Sequence, residues 1–150
     1  LQKEYYEKAR KDRKAHLSSV PATYPVTKVK FERNNDIAKA LKKAQKLHRS
    51  IMMFVSDGDW GSKYMFENVF IDGKAADYLN KTFVNVEVDA KSVSGDALIS
   101  KYNLLERFPA YIIINENGKV KGCDFGLRKH ADIMIESLNA ILNYKPQVNN

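Results

Sequence analysis

The fold of this chain is decided by residues 51–70, which read IMMFVSDGDWGSKYMFENVF. Ile51 to Val55 form an uninterrupted apolar run, as expected of a strand that helices cover on both faces. The stretch Ser56 to Phe70 follows and opens a helix. A helix that begins directly after a strand points free backbone N–H groups and the positive end of its dipole at whatever lies there. This junction is therefore the natural place for a functional site.

Strands and helices alternate on both sides of this stretch. Short apolar or alternating runs predict strands, and apolar residues spaced three or four apart predict helices. In chain order the elements are an edge strand at 26–32, a helix ending near residue 49, the strand at 51–55, a helix that opens in 56–70 and resumes at 75–80, a strand at 83–88, a helix at 94–102, strands at 110–114 and 120–125, and a helix at 131–142. This order predicts an α/β fold, a three-layer α/β/α sandwich whose mixed sheet ends in an antiparallel hairpin.

The first 25 residues stand apart from this alternation. Leu1 to Leu17 is rich in Lys, Arg and Glu and has a thin apolar stripe, which predicts an extra N-terminal amphipathic helix. Ser18 to Pro25 contains two prolines and is predicted to be a linker. The predicted organisation is therefore a helix and linker at 1–25, a domain at 26–145 and a tail at 146–150. Whether the helix docks on the domain is left open by the sequence.

Composition restricts the class of protein. The chain has 150 residues, of which 44% are hydrophobic and 29% charged, and this is enough for one domain with a real core. Its longest strongly apolar runs are far shorter than the roughly 20 residues that a membrane helix needs. We therefore expect a globular domain without a membrane span. The oligomeric state is left open.

The charge pattern does not indicate a nucleic-acid or cofactor site. The net charge is +7, with basic residues spread along the chain and concentrated at Lys8 to Lys14 and Lys39 to Arg49. Such runs are usually solvated helix faces, and no RNA-recognition or helix-turn-helix signature accompanies them. No metal-ligand spacing and no Gly-rich phosphate loop is present. We expect no metal, no cofactor and no nucleic-acid partner.

Five short motifs follow one another at compatible spacings. They are Lys63-Tyr64-Met65 with Val69-Phe70, Asp77-Tyr78-Leu79-Asn80 with Phe83, Val86-Glu87-Val88-Asp89, Lys101-Tyr102-Asn103-Leu104 with Phe108-Pro109, and Asn117-Gly118-Lys119-Val120. Together they resemble the thioredoxin-like fold family over about residues 31–142. The nearest group is that of thioredoxin-related domains similar to the C-terminal domain of DsbD. The resemblance implies a thioredoxin-like fold with its site at the start of the helix in 56–70.

The chain departs from the family at the catalytic motif. The family's two cysteines lie at the helix start, separated by two residues, and counting back from Lys63 places Asp59 and Ser62 there. Aligning Trp60 with the family tryptophan instead puts Gly61 at the first cysteine position. Dithiol chemistry needs a thiolate and a second, resolving thiol. Because neither alignment supplies a thiol, dithiol–disulfide oxidoreductase activity at this site is excluded, and the site is expected to be redox-inactive.

Asp59 has two interpretations. If the helix begins at Trp60, its carboxylate can cap the helix by accepting from the N–H of Gly61 or Ser62, at about 1 kcal/mol. The alternative makes Asp59 a general base and Ser62 a nucleophile, although none of the three histidines is close in sequence. We expect the capping role and no hydrolytic activity.

The resemblance also implies a binding groove. Trp60 does not belong to a periodic core set, and aromatic residues at this place in the family flank a groove for extended peptides. Pro109 resembles the family's cis-proline, which leaves the backbone of the preceding residue, here Phe108, free to pair with a substrate strand. The leading hypothesis is a non-catalytic domain that binds a protein or peptide at the former active-site rim: Asp59, Trp60, Ser62, Phe108 and Pro109.

Cys123 carries the alternative hypothesis. It is the only cysteine of the chain, so no internal disulfide can form. A lone cysteine on a predicted strand is most often a small buried apolar residue. If its thiol were exposed and of low pKa, the protein could be a one-cysteine redox or thiol-transfer protein. The resemblance to exported bacterial domains favours an extracytoplasmic location, in the bacterial periplasm or secreted.

Overall fold

The sheet has five strands with the order β1-β3-β2-β4-β5. The computed structural model describes residues 2–33 and 36–145, so the predicted tail at 146–150 lies outside the described residues. Strands β1 and β2 run parallel to β3, while β4 is antiparallel to β2 and β5 to β4. The strands are β1 (Phe31–Glu32), β2 (Ser50–Ser56), β3 (Phe83–Asp89), β4 (Ala110–Ile114) and β5 (Val120–Phe125).

Helices cover both faces of this sheet. They are α1 (Gln2–Lys14), α2 (Ile37–Leu47), α3 (Trp60–Tyr64), α4 (Gly73–Thr82), α5 (Val93–Lys101) and α6 (Ala131–Asn143), and a π-helical segment at Met65–Val69 follows α3 directly. None of the helices in the described ranges is long and apolar enough to cross a bilayer. The predicted α/β sandwich with a mixed sheet, a terminal hairpin and an extra N-terminal helix is confirmed.

The central strand β2 supplies side chains to two separate apolar clusters. Met52 and Phe54 point to the side of the π-helical segment, α4 and α6. Ile51, Met53 and Val55 point to the side of α2 and α5. All five side chains are fully buried, which explains why the strand is apolar at every position rather than at every second one. The sheet therefore fixes the C-terminal end of β2, where the predicted site lies.

The edge strand β1 is shorter than the sequence predicts. The alternation at 26–32 predicts a strand over seven residues, whereas only Phe31 and Glu32 pair with β3. Upstream, the side chain of Asn80 accepts from the N–H of Lys30 and donates to the carbonyl of Lys28. The N–H of Lys28 donates to the carbonyl of Phe70. These bonds satisfy the backbone groups that a longer strand would have offered to β3.

Helix α1 docks on the domain through arginine side chains. No residue of α1 is fully buried, so its thin apolar stripe is not what holds it. Instead, the Arg13 guanidinium binds Glu106 through two nitrogens, the carboxylate of Asp96 at 2.9 Å and the carbonyl of Ala90 at 2.8 Å. The Arg13 and Glu106 side chains are only 6% and 3% exposed. A buried, bidentate pair of this kind fixes the helix in one orientation.

Candidate functional site

The turn between β2 and α3 is built around Asp57. Its Oδ1 atom accepts from the N–H of Asp59 at 3.0 Å and from the hydroxyl of Ser62 at 3.1 Å. The Ser56 hydroxyl accepts from the N–H of Gly58, which has a φ of 79°. An aspartate that bonds the backbone two residues ahead mimics a backbone turn. Asp57 therefore sets the geometry with which α3 leaves the strand.

Asp59 occupies the position before the helix, as predicted, but its carboxylate makes no capping hydrogen bond. The prediction that it accepts from Gly61 or Ser62 is therefore wrong. Its side chain is 75% exposed and lies 3.9 Å from the ammonium of Lys91. The stabilising acceptor at this turn is Asp57, two residues earlier. The Asp-Gly-Asp order at 57–59 is the signal that could have identified it, since aspartate and glycine favour such turns.

Trp60 and Ser62 lie on opposite sides of α3. Trp60 begins the helix and is 67% exposed, with its ring tilted against that of Tyr64 at 5.6 Å. Ser62 is 1% exposed, and its hydroxyl donates to Asp57. Ser62 thus supports the rim from beneath, and Trp60 is presented to solvent on it. A hydroxyl buried in this way is not offered to a substrate as a nucleophile.

Pro109 packs directly against the start of α3. The peptide bond between Phe108 and Pro109 is cis. A Cβ atom on Gly61 would lie 3.3 Å from Cδ of Pro109, so the two segments touch and a side chain at Gly61 would be crowded. The structure thereby brings Trp60 and Pro109, distant in sequence, to one rim. Gly61 is the residue that permits this approach.

The backbone of Phe108 is open to a partner. The carbonyl of Pro109 accepts from Gly126 at 2.7 Å and the N–H of Arg107 donates to Leu105. Within residues 2–33 and 36–145, by contrast, no hydrogen bond is made by the N–H or the carbonyl of Phe108. The Phe108 side chain is half-buried. A half-buried segment with an unpaired donor and acceptor resembles the edge of a sheet.

A cleft of about 450 Å³ separates this rim from helix α1. The side of α1 contributes Tyr5, Tyr6 and Ala9, and the rim contributes Asp57, Asp59 and Phe108. The sequence does not predict this contribution of α1, because its docking depends on ion pairs between residues more than 80 positions apart. The volume is in the range of sites that hold several ligand side chains or a small molecule.

Burial controls the electrostatics of the turn. Burial, and to a smaller degree the charge of the neighbouring Asp59, raises the pKa of the Asp57 carboxyl, while the hydrogen bond from the Asp59 N–H opposes this. The second carboxylate oxygen of Asp57 accepts no hydrogen bond from the described part of the chain. A cationic group at this oxygen would lower the pKa and stabilise the charged form.

Glu87 is a second buried carboxyl, on β3 beneath the segment that leads into β1. It is 5% exposed, and the Arg33 guanidinium lies 3.5 Å away. Burial raises the pKa of Glu87 to about 7, although Arg33 opposes the shift. In the unfolded chain the carboxyl loses its proton near pH 4.5. The folded form therefore binds more protons between about pH 4.5 and pH 7, and its stability falls as the pH rises through this window.

We expect Glu87→Gln to remove this loss. The variant should be more stable than the wild type at pH 8 by roughly 2 kcal/mol, because each unit of pKa shift corresponds to about 1.4 kcal/mol and Arg33 offsets a part. Urea unfolding of both proteins from pH 5 to pH 8 measures the difference, with the exposed Glu67→Gln as the control. Equal pH slopes for wild type and Glu87→Gln would contradict the assignment.

Solved structures with the same architecture include proteins of known redox families. The solution structure of a putative disulphide-isomerase from Bacteroides thetaiotaomicron superposes with a TM-score of 0.67 and 22% identity over 82% of this chain and 100% of that one. A thioredoxin from Thermus thermophilus gives 0.64 and 19% over 78% and 89%. The chain has a thioredoxin-like fold. The C-terminal domain of Neisseria meningitidis DsbD, in its oxidised form, gives 0.56 and 19% over 73% and 96%. No protein-family model and no curated protein sequence matches the chain.

The thioredoxin-like fold carries its only thiol away from the rim. Cys123 lies on β5 opposite Ile112, is half-buried and packs against the cluster on the side of α2 and α5. Burial raises the pKa of the Cys123 thiol. A reactive cysteine needs the opposite shift, because the thiolate is the nucleophile. Among the described residues, no group of three or more His, Cys, Asp or Glu side chains is placed to hold a metal ion.

Proposed function

We propose that this thioredoxin-like domain binds an extended segment of a protein or peptide at the rim formed by Asp59, Trp60, Phe108 and Pro109, with Ser62 beneath it, and performs no thiol chemistry there. The observation that carries the proposal is the unpaired backbone of Phe108 beside the exposed ring of Trp60. An extended segment could pair with this backbone as an added strand. Main-chain hydrogen bonds supply affinity in such complexes, and side-chain contacts supply specificity.

Trp60 gives this surface an anchor. A tryptophan with two thirds of its surface exposed is costly to leave in water, and tryptophan is among the residues that dominate binding energy when they are covered. Its neighbour Tyr64 holds the ring from one side only. The exposed part of the ring is therefore available to a partner that lies along the rim.

The chemistry of the rim supports binding without turnover. Asp59 and Ser62 stand where thioredoxin-like oxidoreductases have cysteines, and neither side chain can form a mixed disulfide. The alternative function, thiol transfer through Cys123, is weakened by the half-buried position and raised pKa of that thiol. We expect no turnover in an insulin-reduction assay and unchanged peptide binding in Cys123→Ser. The proposal keeps an extracytoplasmic location, which rests on the resemblance to exported thioredoxin-like domains.

A selection from a library of random nonapeptides tests the proposal. Peptides retained by the wild type should bind Trp60→Ala more weakly by about tenfold or more, because the loss of a central aromatic contact typically exceeds about 1.4 kcal/mol. Tyr144→Ala, which removes an equally exposed aromatic ring (68%) at the end of α6, is the matched control and should bind as the wild type does. The absence of any retained peptide, or equal losses in both variants, would refute the proposal.

A further inference from the structure

The cleft beside the rim has a second wall made by helix α1. The Arg10 guanidinium donates to the carbonyl of Leu104 at 2.9 Å, and Arg13 binds Glu106. Both contacts fall on the segment that immediately precedes Phe108 and Pro109. Helix α1 thus holds the segment that carries the open backbone, and it places Tyr5 and Tyr6 across the cleft from Asp57 and Asp59.

Most charges that line this cleft are already neutralised within the protein. Arg13 is bonded to Glu106, Asp96 and the carbonyl of Ala90, and Glu106 also receives Arg10. The Arg13 and Glu106 side chains are almost completely buried, so neither is free to attract a ligand. The charge that a ligand meets must come from other residues of the cleft.

Asp57 and Asp59 provide this charge. Asp57 is half-buried, receives hydrogen bonds only from neutral donors and has one carboxylate oxygen without a partner in the described chain. Asp59 lies 3.9 Å from the exposed Lys91 ammonium, and an exposed pair of this length contributes little. The rings of Tyr6 and Phe108 line the same cleft, and aromatic faces attract cations.

We propose that the cleft between α1 and the rim receives a Lys or Arg side chain of the bound segment, with Asp57 and Asp59 as its acceptors and α1 as its second wall. This proposal rests on the proposed function, since the segment must first bind along Phe108. It identifies the partner by chemistry, as an extended protein segment with a basic side chain next to the residue that pairs with the rim. Lys91 and Arg107, which also line the cleft, act as competing cations.

The nonapeptide selection separates this proposal from the proposed function. Peptides retained by the wild type should be enriched in Lys or Arg at one position, and Lys→Gln at that position should weaken binding about tenfold. In Asp57→Asn/Asp59→Asn the Lys and Gln peptides should bind within twofold of each other, with the affinity for the Gln peptide unchanged. Asn keeps an acceptor oxygen for the Asp59 N–H and the Ser62 hydroxyl, so the turn is preserved, and Asp132→Asn on α6 is the control. Lys91→Met should increase the preference for Lys.

Two results would overturn the inference alone. One is binding of peptides without any basic preference, and the other is a preference that persists in Asp57→Asn/Asp59→Asn. Tyr6→Ala tests the second wall without removing a charge and should weaken the Lys peptide at least threefold, and an unchanged affinity would contradict the role of α1. If no peptide binds the wild type, the proposed function fails and this inference fails with it.

Discussion

Arg13→Met is expected to release helix α1 from the domain. The substitution leaves the carboxylates of Glu106 and Asp96 without their main cation, and breaking a buried pair in this way costs about 3–5 kcal/mol. Because no residue of α1 is fully buried, the protein can avoid this cost by letting α1 undock and water reach the carboxylates. A free helix of this length is only marginally stable in water.

Hydrogen exchange measures this release residue by residue. The amides of α1 should exchange roughly a hundredfold faster in Arg13→Met than in the wild type, since about 1.4 kcal/mol corresponds to a factor of ten. Protection at the Ser18 N–H, which donates to the Lys91 carbonyl at 2.8 Å, should persist because it lies beyond the helix. Arg10→Met is the control: Arg10 is 42% exposed and touches Glu106 only at 3.4 Å. Unchanged exchange of α1 in Arg13→Met would contradict the docking mechanism.

Gly95→Ala is expected to destabilise the whole domain. Gly95 lies in the first turn of α5, where its N–H donates to the hydroxyl of Ser92, the helix cap. A Cβ atom there would lie 1.8 Å from the carbonyl oxygen of Asp89 and 2.7 Å from its carbonyl carbon. Backbone atoms cannot rotate away, so the end of β3 must move relative to α5. We expect a loss of about 3 kcal/mol or more, which exceeds the gain of about 1 kcal/mol that alanine brings to a helix.

Gly73→Ala is the matched control for this substitution. Gly73 also lies at the start of a helix, α4, but no atom lies within 4 Å of the position that its Cβ would take. This variant should be neutral or more stable by up to about 1 kcal/mol. Thermal unfolding should therefore show a midpoint lower by roughly 10 °C for Gly95→Ala only. Equal midpoints for the two variants would show that the contact at Asp89 is relieved without cost.

The sequence predicts those parts of the fold that depend on local pattern. The run Ile51 to Val55 and the run Ala110 to Ile114 are strands β2 and β4, because an apolar residue at every position suits a strand buried on both faces. The strand predicted at 26–32 is mostly wrong, because the side chain of Asn80, about 50 positions away, binds its backbone. Alternation alone does not reveal such a competitor.

The position of the candidate site follows from the sequence, but its detail does not. The motifs place Trp60 and Pro109 at one rim, and the structure brings their segments into contact through Gly61. The predicted capping bond of Asp59 is wrong, because the carboxylate two residues earlier, Asp57, makes the hydrogen bonds of the turn. The sequence does not predict helix α1 as a wall of the cleft, because apolar periodicity does not report an arginine that binds buried carboxylates.

The amide signal of Phe108 in ¹⁵N-labelled protein tests the central claim most directly. During titration with a nonapeptide retained by the wild type, the account predicts that this signal shifts strongly and that its hydrogen exchange slows, because the unpaired N–H gains an acceptor. The indole N–H signal of Trp60 should shift together with it. Peptide binding that leaves the signals of Phe108 and Trp60 unchanged would contradict the account.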